Sequence, residues 1–466
     1  MSVQIRELLQ LLAYLLRWVL ITLPVGIAVG SACALFLWSL DQATQLRFAH
    51  PWLLAGLPLA GFAIGLLYQS FGQSVEAGNN LIVDEIHQPG GGVPLRMAPL
   101  ILVSTVVTHL FGGSAGREGT AVQMGGSLAS GMARLLPGLE PHDVRRLLMA
   151  GVAAGFGGVF GTPVAGAIFA MEVLSMGRMT YAAFFPCLVG AIASDQVCAL
   201  WGVGHTHYRV ASLLSADPAR HVAPFDLRIL LLTTLAGAAF GLTSLFFAEL
   251  VHGLQALFRK FVRSALFRPV MGGLIVIAMT WAIGRRDYLG LGVTSPDPNA
   301  VTIVSCFQSG GATTWSWLWK SLFTAVTLSS GFKGGEVTPL FFIGAALGNT
   351  LAGLFGVPVD LFAALGFVAV FAGATNTPIA CTVMAIELFG GEYTLYYATA
   401  CLMAYLFSGH TGIYLSQRIG TPKVTAGNWT PGASLREVRA IRKSPAAPSP
   451  PAEDHDGDAT RPASQN

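Results

Sequence analysis

An acid-bearing glycine motif occurs twice in this chain, once in each half. The first copy reads Gly116-Arg117-Glu118-Gly119-Thr120, and the second reads Gly334-Gly335-Glu336-Val337-Thr338-Pro339. Glu336 follows Glu118 by 218 positions, since 336 − 118 = 218, and neighbouring glycine and threonine residues match at the same spacing. A chain built from two matched halves is expected to fold as a structural duplication, with its paired motifs meeting between the halves.

A second pair of motifs supports the duplication. Thr162-Pro163-Val164-Ala165 recurs as Thr377-Pro378-Ile379-Ala380 at a spacing of 215, and Glu172 recurs as Glu387. We expect a structural role for these two glutamates at helix ends.

The sparse charge of the chain indicates an integral membrane protein. Of its 466 residues, 53% are hydrophobic and only 11% are charged, whereas a soluble domain carries roughly 25% charged residues. Several apolar runs are shorter than the roughly 20 residues that a full crossing requires. Such short, glycine-broken segments survive in a membrane only where protein or a cavity surrounds them. The sequence therefore predicts an all-α membrane fold with short, broken helices.

The predicted organisation is two membrane repeats with polar ends. Residues 1–17 form a lead-in, and residues 18–204 and 225–419 form the repeats. The linker is 205–224, and the tail is 420–466, with disorder predicted from 444. Basic residues precede the first helix and follow the last one, which places both termini in the cytoplasm of a multi-pass cell (inner) membrane protein; they are Arg6, Arg17, Arg436, Arg439, Arg442 and Lys443.

Other partners and cofactors find no support in the sequence. The net charge is +3, and no basic stretch interleaved with aromatic residues indicates nucleic-acid binding. The six cysteines form no CxxC pair, so neither a metal site nor a cofactor is predicted.

Glu118 is the leading functional candidate. Gly116 and Gly119 flank the expected start of a helix, where free backbone amides and the helix dipole attract an anion. A carboxylate in that position can occupy the anion site, be displaced by an anion, or be released by protonation. The alternative is that Glu118 is an ordinary acid in the first turn of a helix.

These motifs resemble the signatures of the CLC family of chloride channels and anion/proton antiporters. Gly116-Arg117-Glu118-Gly119 is similar to the family's second signature, and the segment from Gly334 to Pro339 is similar to its third, GGxFxP. The resemblance spans about residues 18–420. It implies an inverted-repeat helical protomer, commonly a homodimer with one pathway per subunit. It also implies that Glu118 is the gating glutamate and that Tyr414 is a pore-facing tyrosine.

Departures from the common signatures resemble the CLC-F fluoride/proton antiporter branch. Asn79 stands at the serine of the family's GSGIP signature, and Val337 replaces the aromatic residue of the third signature. Val173 stands where many chloride/proton exchangers carry an inner proton-transfer glutamate. The resemblance therefore implies export of fluoride in exchange for protons, with Asn79, Thr338, Tyr414, Gly116, Gly119 and Val337 as anion-binding residues and with Glu118 and Glu336 on the proton pathway.

Three of these residues retain a second interpretation. Asn79 offers strong N–H donors to a small, strongly hydrated anion, or it caps a helix N-terminus. Thr338 donates to the anion, or it bonds its own helix backbone. Glu336 carries protons in place of the missing inner acid, or it is an ordinary first-turn acid.

The sequence also leaves other functions open. A chloride/proton exchanger or a passive chloride channel of the same fold is the main alternative to fluoride export. An intramembrane enzyme would use Glu118 with a histidine, but no metal-spaced His/Glu cluster and no GxSxG motif supports one. A membrane receptor without transport activity is a further alternative, although no long extramembrane domain is predicted.

Overall fold

The computed structural model describes residues 3–210, 225–424, 430 and 432–443. Within these residues the chain is almost entirely helical, and the two strands are only two residues long. Five helical stretches are long and apolar enough to cross a membrane, as judged by length and composition. They are Gln4–Ala49, Pro51–His87, Tyr181–Leu200, Leu227–Phe261 and Val337–Phe355.

In the part of the first half that the structure describes, there are eight α-helices. The helices are α1 (Val3–Ala49), α2 (Leu57–Leu67), α3 (Asn79–His87), α4 (Met97–Leu110), α5 (Glu118–Ala133), α6 (Pro141–Phe160), α7 (Pro163–Glu172) and α8 (Phe184–Leu200). Short 3-10 segments lie at Pro51–Gly56, Gln73–Val75 and Tyr181–Ala183, and a π-helical turn lies at Tyr68–Gly72. The predicted lead-in is not a separate element, because α1 is continuous from Val3 and includes Arg17, which pairs with Asp143 at 2.6 Å.

In the described part of the second half, seven α-helices are followed by a short helix in the tail. They are α9 (Leu227–Phe261), α10 (Arg268–Ile283), α11 (Ser316–Ser329), α12 (Val337–Phe355), α13 (Val359–Thr375), α14 (Pro378–Phe389), α15 (Thr394–Phe407) and α16 (Leu435–Lys443). A 3-10 turn lies at Ser305–Phe307. Strand β1 (Ser175–Met176) pairs in parallel with β2 (Arg418–Ile419). Residues 444–466, for which disorder is predicted, lie outside the described residues.

Helix boundaries show how the two halves correspond. Helices α4 and α11 both have 14 residues, and both their first and their last residues differ by 219 positions. Helices α5 and α12 begin at Glu118 and Val337, which is again a difference of 219. The start of α14 follows the start of α7 by 215 positions. The spacing of 215 therefore coincides with the structural repeat, whereas the spacing of 218 at the acidic motifs is one residue short.

This shift changes the counterpart of Glu118. At a spacing of 219, Glu118 corresponds to Val337, and Glu336 corresponds to Arg117. Arg117 and Glu336 are the N-cap residues of α5 and α12, respectively. The pairing of Glu118 with Glu336 suggested by the sequence is therefore wrong as a structural equivalence, because helix starts rather than residue identities define the repeat.

Matched glycines bring matched helices together in each half. In the first half, a Cβ added at Gly125 of α5 would lie 2.1 Å from the carbonyl oxygen of Gly151 in α6. In the second half, a Cβ added at Gly344 of α12 would lie 1.9 Å from the carbonyl oxygen of Gly366 in α13. Any larger residue would push these helices apart, since membrane helices gain stability from close backbone packing. The two contacts hold α5 and α12, whose starts form the site described next.

Candidate functional site

The starts of α5 and α12 are joined directly through their backbones. The amide of Gly116 donates to the carbonyl of Gly335 at 2.6 Å, and the amide of Gly335 donates to the carbonyl of Gly116 at 2.8 Å. A Cβ at Gly335 would lie only 2.7 Å from the amide nitrogen of Gly119. The glycines therefore allow the positive ends of two helices, one from each repeat, to meet at one point, which favours negative charge there.

The carboxylate of Glu118 lies at the start of the helix from the opposite repeat. Its Oε2 accepts hydrogen bonds from the backbone amides of Thr338 at 2.9 Å and Arg117 at 3.1 Å. The side chain is only 1% exposed, and Arg117 Nε lies 3.5 Å from Oε1. Glu118 is thus more than a first-turn acid of α5, because its charge is stabilised by donors at the start of α12.

Thr338 supplies two donors to Glu118. Besides its backbone amide, its hydroxyl donates to Oε1 of Glu118 at 2.5 Å. The interpretation in which this hydroxyl bonds its own helix backbone is wrong in this structure. Val337, the first residue of α12, is buried beside it.

Asn79 and Glu336 both lie beside the Cα of Gly119. A Cβ at Gly119 would lie 3.0 Å from Asn79 Nδ2 and 3.8 Å from Glu336 Oε2. The starts of α3, α5 and α12 therefore converge, and they bring together an amide donor and two carboxylates. The half-buried side chain of Glu336 belongs to the N-cap residue of α12 and makes no capping hydrogen bond to that helix.

The capping interpretation of Asn79 is wrong. Gly78 is the N-cap residue of α3, with φ of 59°, and Asn79 is the first helical residue. No side-chain capping bond is present at this helix start. The buried Oδ1 of Asn79 has no hydrogen-bond partner in the part of the chain that the structure describes. The amide of Asn79 is therefore not committed to helix capping.

Tyr414 reaches this region from the end of the second repeat. The backbone amide of Ser416 donates to Oδ1 of Asn80 at 2.9 Å, which ties the tyrosine-bearing segment to the start of α3. Gln417 extends this attachment through hydrogen bonds from Nε2 to the carbonyls of Val173 and Thr375, each 2.9 Å long. The buried phenol of Tyr414 lies within electrostatic range of Glu336 and Glu118.

Sequence reasoning missed the aromatic cavity beside Glu118. The cavity has a volume of about 20 Å³, and Arg117, Glu118 and Thr338 line it together with Phe160, His205, Thr206, Tyr208, Val293, Phe341, Phe367 and Leu388. Phe341 and Phe367 stack with ring centroids 3.9 Å apart. The first residues of the predicted linker, including Tyr208, are thus part of the site. The polar and aromatic run His205-Thr206-His207-Tyr208 is the sequence signal that could have indicated this role. It has no helical periodicity, so no element predicted from the sequence would place it near Glu118.

Comparison with known proteins identifies the family. The model of the voltage gated chloride channel family matches residues 60–409. The chain belongs to the CLC family. A "Chloride/fluoride channel protein" of Pseudomonas syringae pv. tomato is 51% identical over 423 residues, which cover 90% of each chain. This protein is therefore a member of a family of membrane channels and transporters.

Solved CLC structures agree in fold. A CLC-type fluoride/proton antiporter has a TM-score of 0.80 and 32% identity, with 86% of this chain and 98% of that chain covered. A slow cyanobacterial Cl⁻/H⁺ antiporter has a TM-score of 0.67 at 19% identity, with 84% and 94% covered, and this match bears on the fold alone. The expected all-α, inverted-repeat CLC fold is confirmed, as is the resemblance to the CLC-F branch.

Proposed function

We propose that this CLC protein exports fluoride across the cell membrane in exchange for protons, with Glu118 coupling the two ions. The observation that carries the proposal is the position of the Glu118 carboxylate against the amide and hydroxyl of Thr338. Donors that hold a carboxylate at a helix N-terminus also suit a small anion. An anion and the Glu118 carboxylate would therefore compete for the same donors.

Protonation supplies the second half of the exchange. A protonated carboxyl loses its charge and one acceptor position, so it binds less tightly to the start of α12. A proton on Glu118 would thus free the donors for an anion, and arrival of the carboxylate would expel that anion. Glu336, which lies beside Gly119, is the proposed second proton carrier.

The arrangement around Asn79 supports fluoride as the preferred anion. Fluoride loses a tightly held water shell on binding and needs close, strong donors in return. Charge-assisted hydrogen bonds contribute roughly 1.5–3 kcal/mol each. The Asn79 amide is not engaged in capping and lies against Gly119. The names of two relatives, a chloride/fluoride channel protein and a fluoride/proton antiporter, add support.

The decisive experiment measures two anions side by side. Purified protein in liposomes loaded with fluoride or chloride should release fluoride much faster, and external pH should rise as protons enter with fluoride efflux. Protein-free liposomes and the exposed-site variant Glu140→Gln serve as controls. Equal rates for the two anions would instead support the chloride exchanger, and anion release without proton uptake would support a channel.

We also propose a homodimer with one pathway per subunit and with both termini in the cytoplasm. The six native cysteines are buried, so thiols introduced at Arg6 and Arg436 can be labelled selectively. On intact cells both should resist an impermeant reagent and react after permeabilisation. Labelling of only one of the two before permeabilisation would refute the proposed topology.

A further inference from the structure

A second cavity lies at the ends of α1 and α10, and it shares no lining residue with the cavity beside Glu118. Its volume is about 460 Å³. The walls come from the end of α1, the turn that follows it, and the segment 284–302. Three arginines and two aspartates line it, accompanied by hydroxyl and amide side chains; they are Arg47, Arg285, Arg286, Asp287, Asp297, Thr294, Ser295, Asn299 and Thr302.

The positive charge of this cavity is only partly neutralised. Arg285 pairs with Asp287 at 3.4 Å. Arg47 has no ion pair among the residues that the structure describes, its buried Nε has no hydrogen-bond partner there, and it lies within electrostatic range of Arg286. Arg286 donates to the backbone carbonyl of Pro51 at 3.3 Å. With three arginines against Asp287 and Asp297, the lining of this cavity keeps an excess of one positive charge.

A buried lysine positions the loop beside Arg47. Lys320 is fully buried, and its Nζ donates to the carbonyls of Tyr288 at 3.2 Å and Gly290 at 2.8 Å. These bonds hold the loop against which the Arg47 guanidinium rests, since a Cβ at Gly290 would lie 2.8 Å from Arg47 Nη2. Removal of positive charge from water is costly unless an opposite charge compensates it. The cavity therefore favours an anion.

Exposed tryptophans place this cavity at the edge of the membrane. Trp52, in the turn after α1, is 70% exposed, and Trp281, in the last turn of α10, is 81% exposed. Tryptophan is enriched where the hydrocarbon core meets the lipid headgroups. The arginines thus lie at headgroup level, at the end of α1 away from the N-terminus.

We propose that this cavity binds the phosphate group of an anionic glycerophospholipid in the leaflet opposite the N-terminus. A guanidinium presents paired N–H donors that match two phosphate oxygens, and Arg47 and Arg286 supply two such groups. Basic pockets between membrane helices on the cytoplasmic side bind lipid headgroups by the same chemistry, and the proposed site uses it in the other leaflet. Inorganic phosphate shares this chemistry, so the test must separate the two sources.

The test measures thermal unfolding of the full-length protein in a zwitterionic detergent. Short-chain phosphatidylglycerol, phosphatidylcholine or inorganic phosphate is added over a range of concentrations. Phosphatidylglycerol should raise the unfolding temperature at lower concentration than the other two. The double variant Arg47→Gln/Arg286→Gln should bind phosphatidylglycerol more weakly, because bonds to a charged phosphate are lost. Its half-saturating concentration of phosphatidylglycerol should therefore rise by at least about tenfold.

A charge-matched control separates this site from general electrostatics. Arg259→Gln/Arg263→Gln removes two exposed arginines near the end of α9 and should leave the phosphatidylglycerol response unchanged. If the first double variant does not fold, Arg47→Lys/Arg286→Lys retains the charge and should show a weaker loss. An unchanged phosphatidylglycerol response in the cavity variants would overturn the site. Saturation by inorganic phosphate, with no advantage for the lipid, would overturn the lipid as the source.

Discussion

Glu172 and Glu387 cap each other's helices across the two repeats. Glu172, at the end of α7, accepts from the amides of Ile379 at 3.1 Å and Ala380 at 2.8 Å at the start of α14. Glu387, in α14, accepts from Val164 at 3.0 Å and Ala165 at 2.8 Å at the start of α7. The reciprocal bonds follow the spacing of 215, and the predicted structural role at helix ends is confirmed.

This relationship predicts a stability defect for either glutamate variant. Glu172→Ala leaves two amides at the start of α14 without their acceptor, which should cost about 2 kcal/mol. The unfolding temperature of Glu172→Ala in detergent should fall. That of Glu387→Ala should fall by a similar amount, because Glu387 accepts two equivalent bonds. Glu140→Ala, at an exposed position, is the control. Melting of Glu172→Ala at the wild-type temperature would argue that these contacts contribute nothing.

Glu118→Gln should abolish proton movement coupled to the anion. Glutamine keeps the shape of the side chain but carries neither the charge that competes with an anion nor the exchangeable proton. Proton uptake is followed with a pH electrode while a fluoride gradient drives exchange in liposomes. Coupled uptake at the wild-type rate would remove Glu118 from the mechanism.

Thr338→Val should weaken the hold on Glu118 while it preserves side-chain volume and the backbone amide. Loss of one hydrogen bond to a charged group is worth roughly 1.5–3 kcal/mol, or about 10–100-fold in the equilibrium between bound and released carboxylate. We expect anion flux with looser proton coupling, and we expect Thr338→Ser to restore the coupling.

The matched control for Thr338 lies on the same helix. The hydroxyl of Thr350 donates to the carbonyl of Ala346 at 3.0 Å, so Thr350→Val removes a threonine hydroxyl of α12 without touching Glu118. If both variants changed the ratio of transported anions to protons equally, the effect would come from a general disturbance of α12. It would then not come from loss of the hydrogen bond to Glu118.

Asn79→Ser should narrow the preference for fluoride over chloride. Serine supplies one hydroxyl donor where the amide supplies two N–H donors. Fluoride depends more on strong donors than chloride does, so the substitution should weaken fluoride binding more than chloride binding. A loss of about 10-fold or more in apparent fluoride affinity is expected. Ion-selective electrodes record both effluxes from the same preparation, and chloride is the internal control. An unchanged ratio of fluoride to chloride efflux would indicate that other residues determine selectivity, and Thr338 and Glu336 would be tested next.

Tyr414→Phe tests the phenol separately from the ring. The ring is buried, and phenylalanine keeps its packing, so only the hydrogen-bond donor is lost. If the hydroxyl contacts the anion, fluoride flux should fall while the unfolding temperature stays unchanged. Tyr414→Ala, which also removes the ring, should additionally loosen coupling. Wild-type flux and coupling in both variants would leave Tyr414 as a packing residue.

The membrane class, the duplication and the helix start at Glu118 could all be predicted from the sequence. Composition excludes a soluble fold because too few charged residues exist to cover a water-facing surface. The spacing of 215 coincides with equivalent helix starts, and the helix predicted near Glu118 begins at that residue. These features are local or compositional, so they are readable without coordinates.

Contacts between distant residues became visible only in the three-dimensional structure. Thr338 donates to Glu118 across 220 positions, and the corrected spacing of 219 pairs Glu118 with Val337. Tyr208 reaches the cavity beside Glu118 from a segment without helical period. Such contacts depend on how the starts of α5 and α12 dock, and that docking depends on close backbone approach at Gly116, Gly335 and the packed glycines. Residue identity shows that close approach is possible, but the relative position of the helices determines which donors reach the carboxylate.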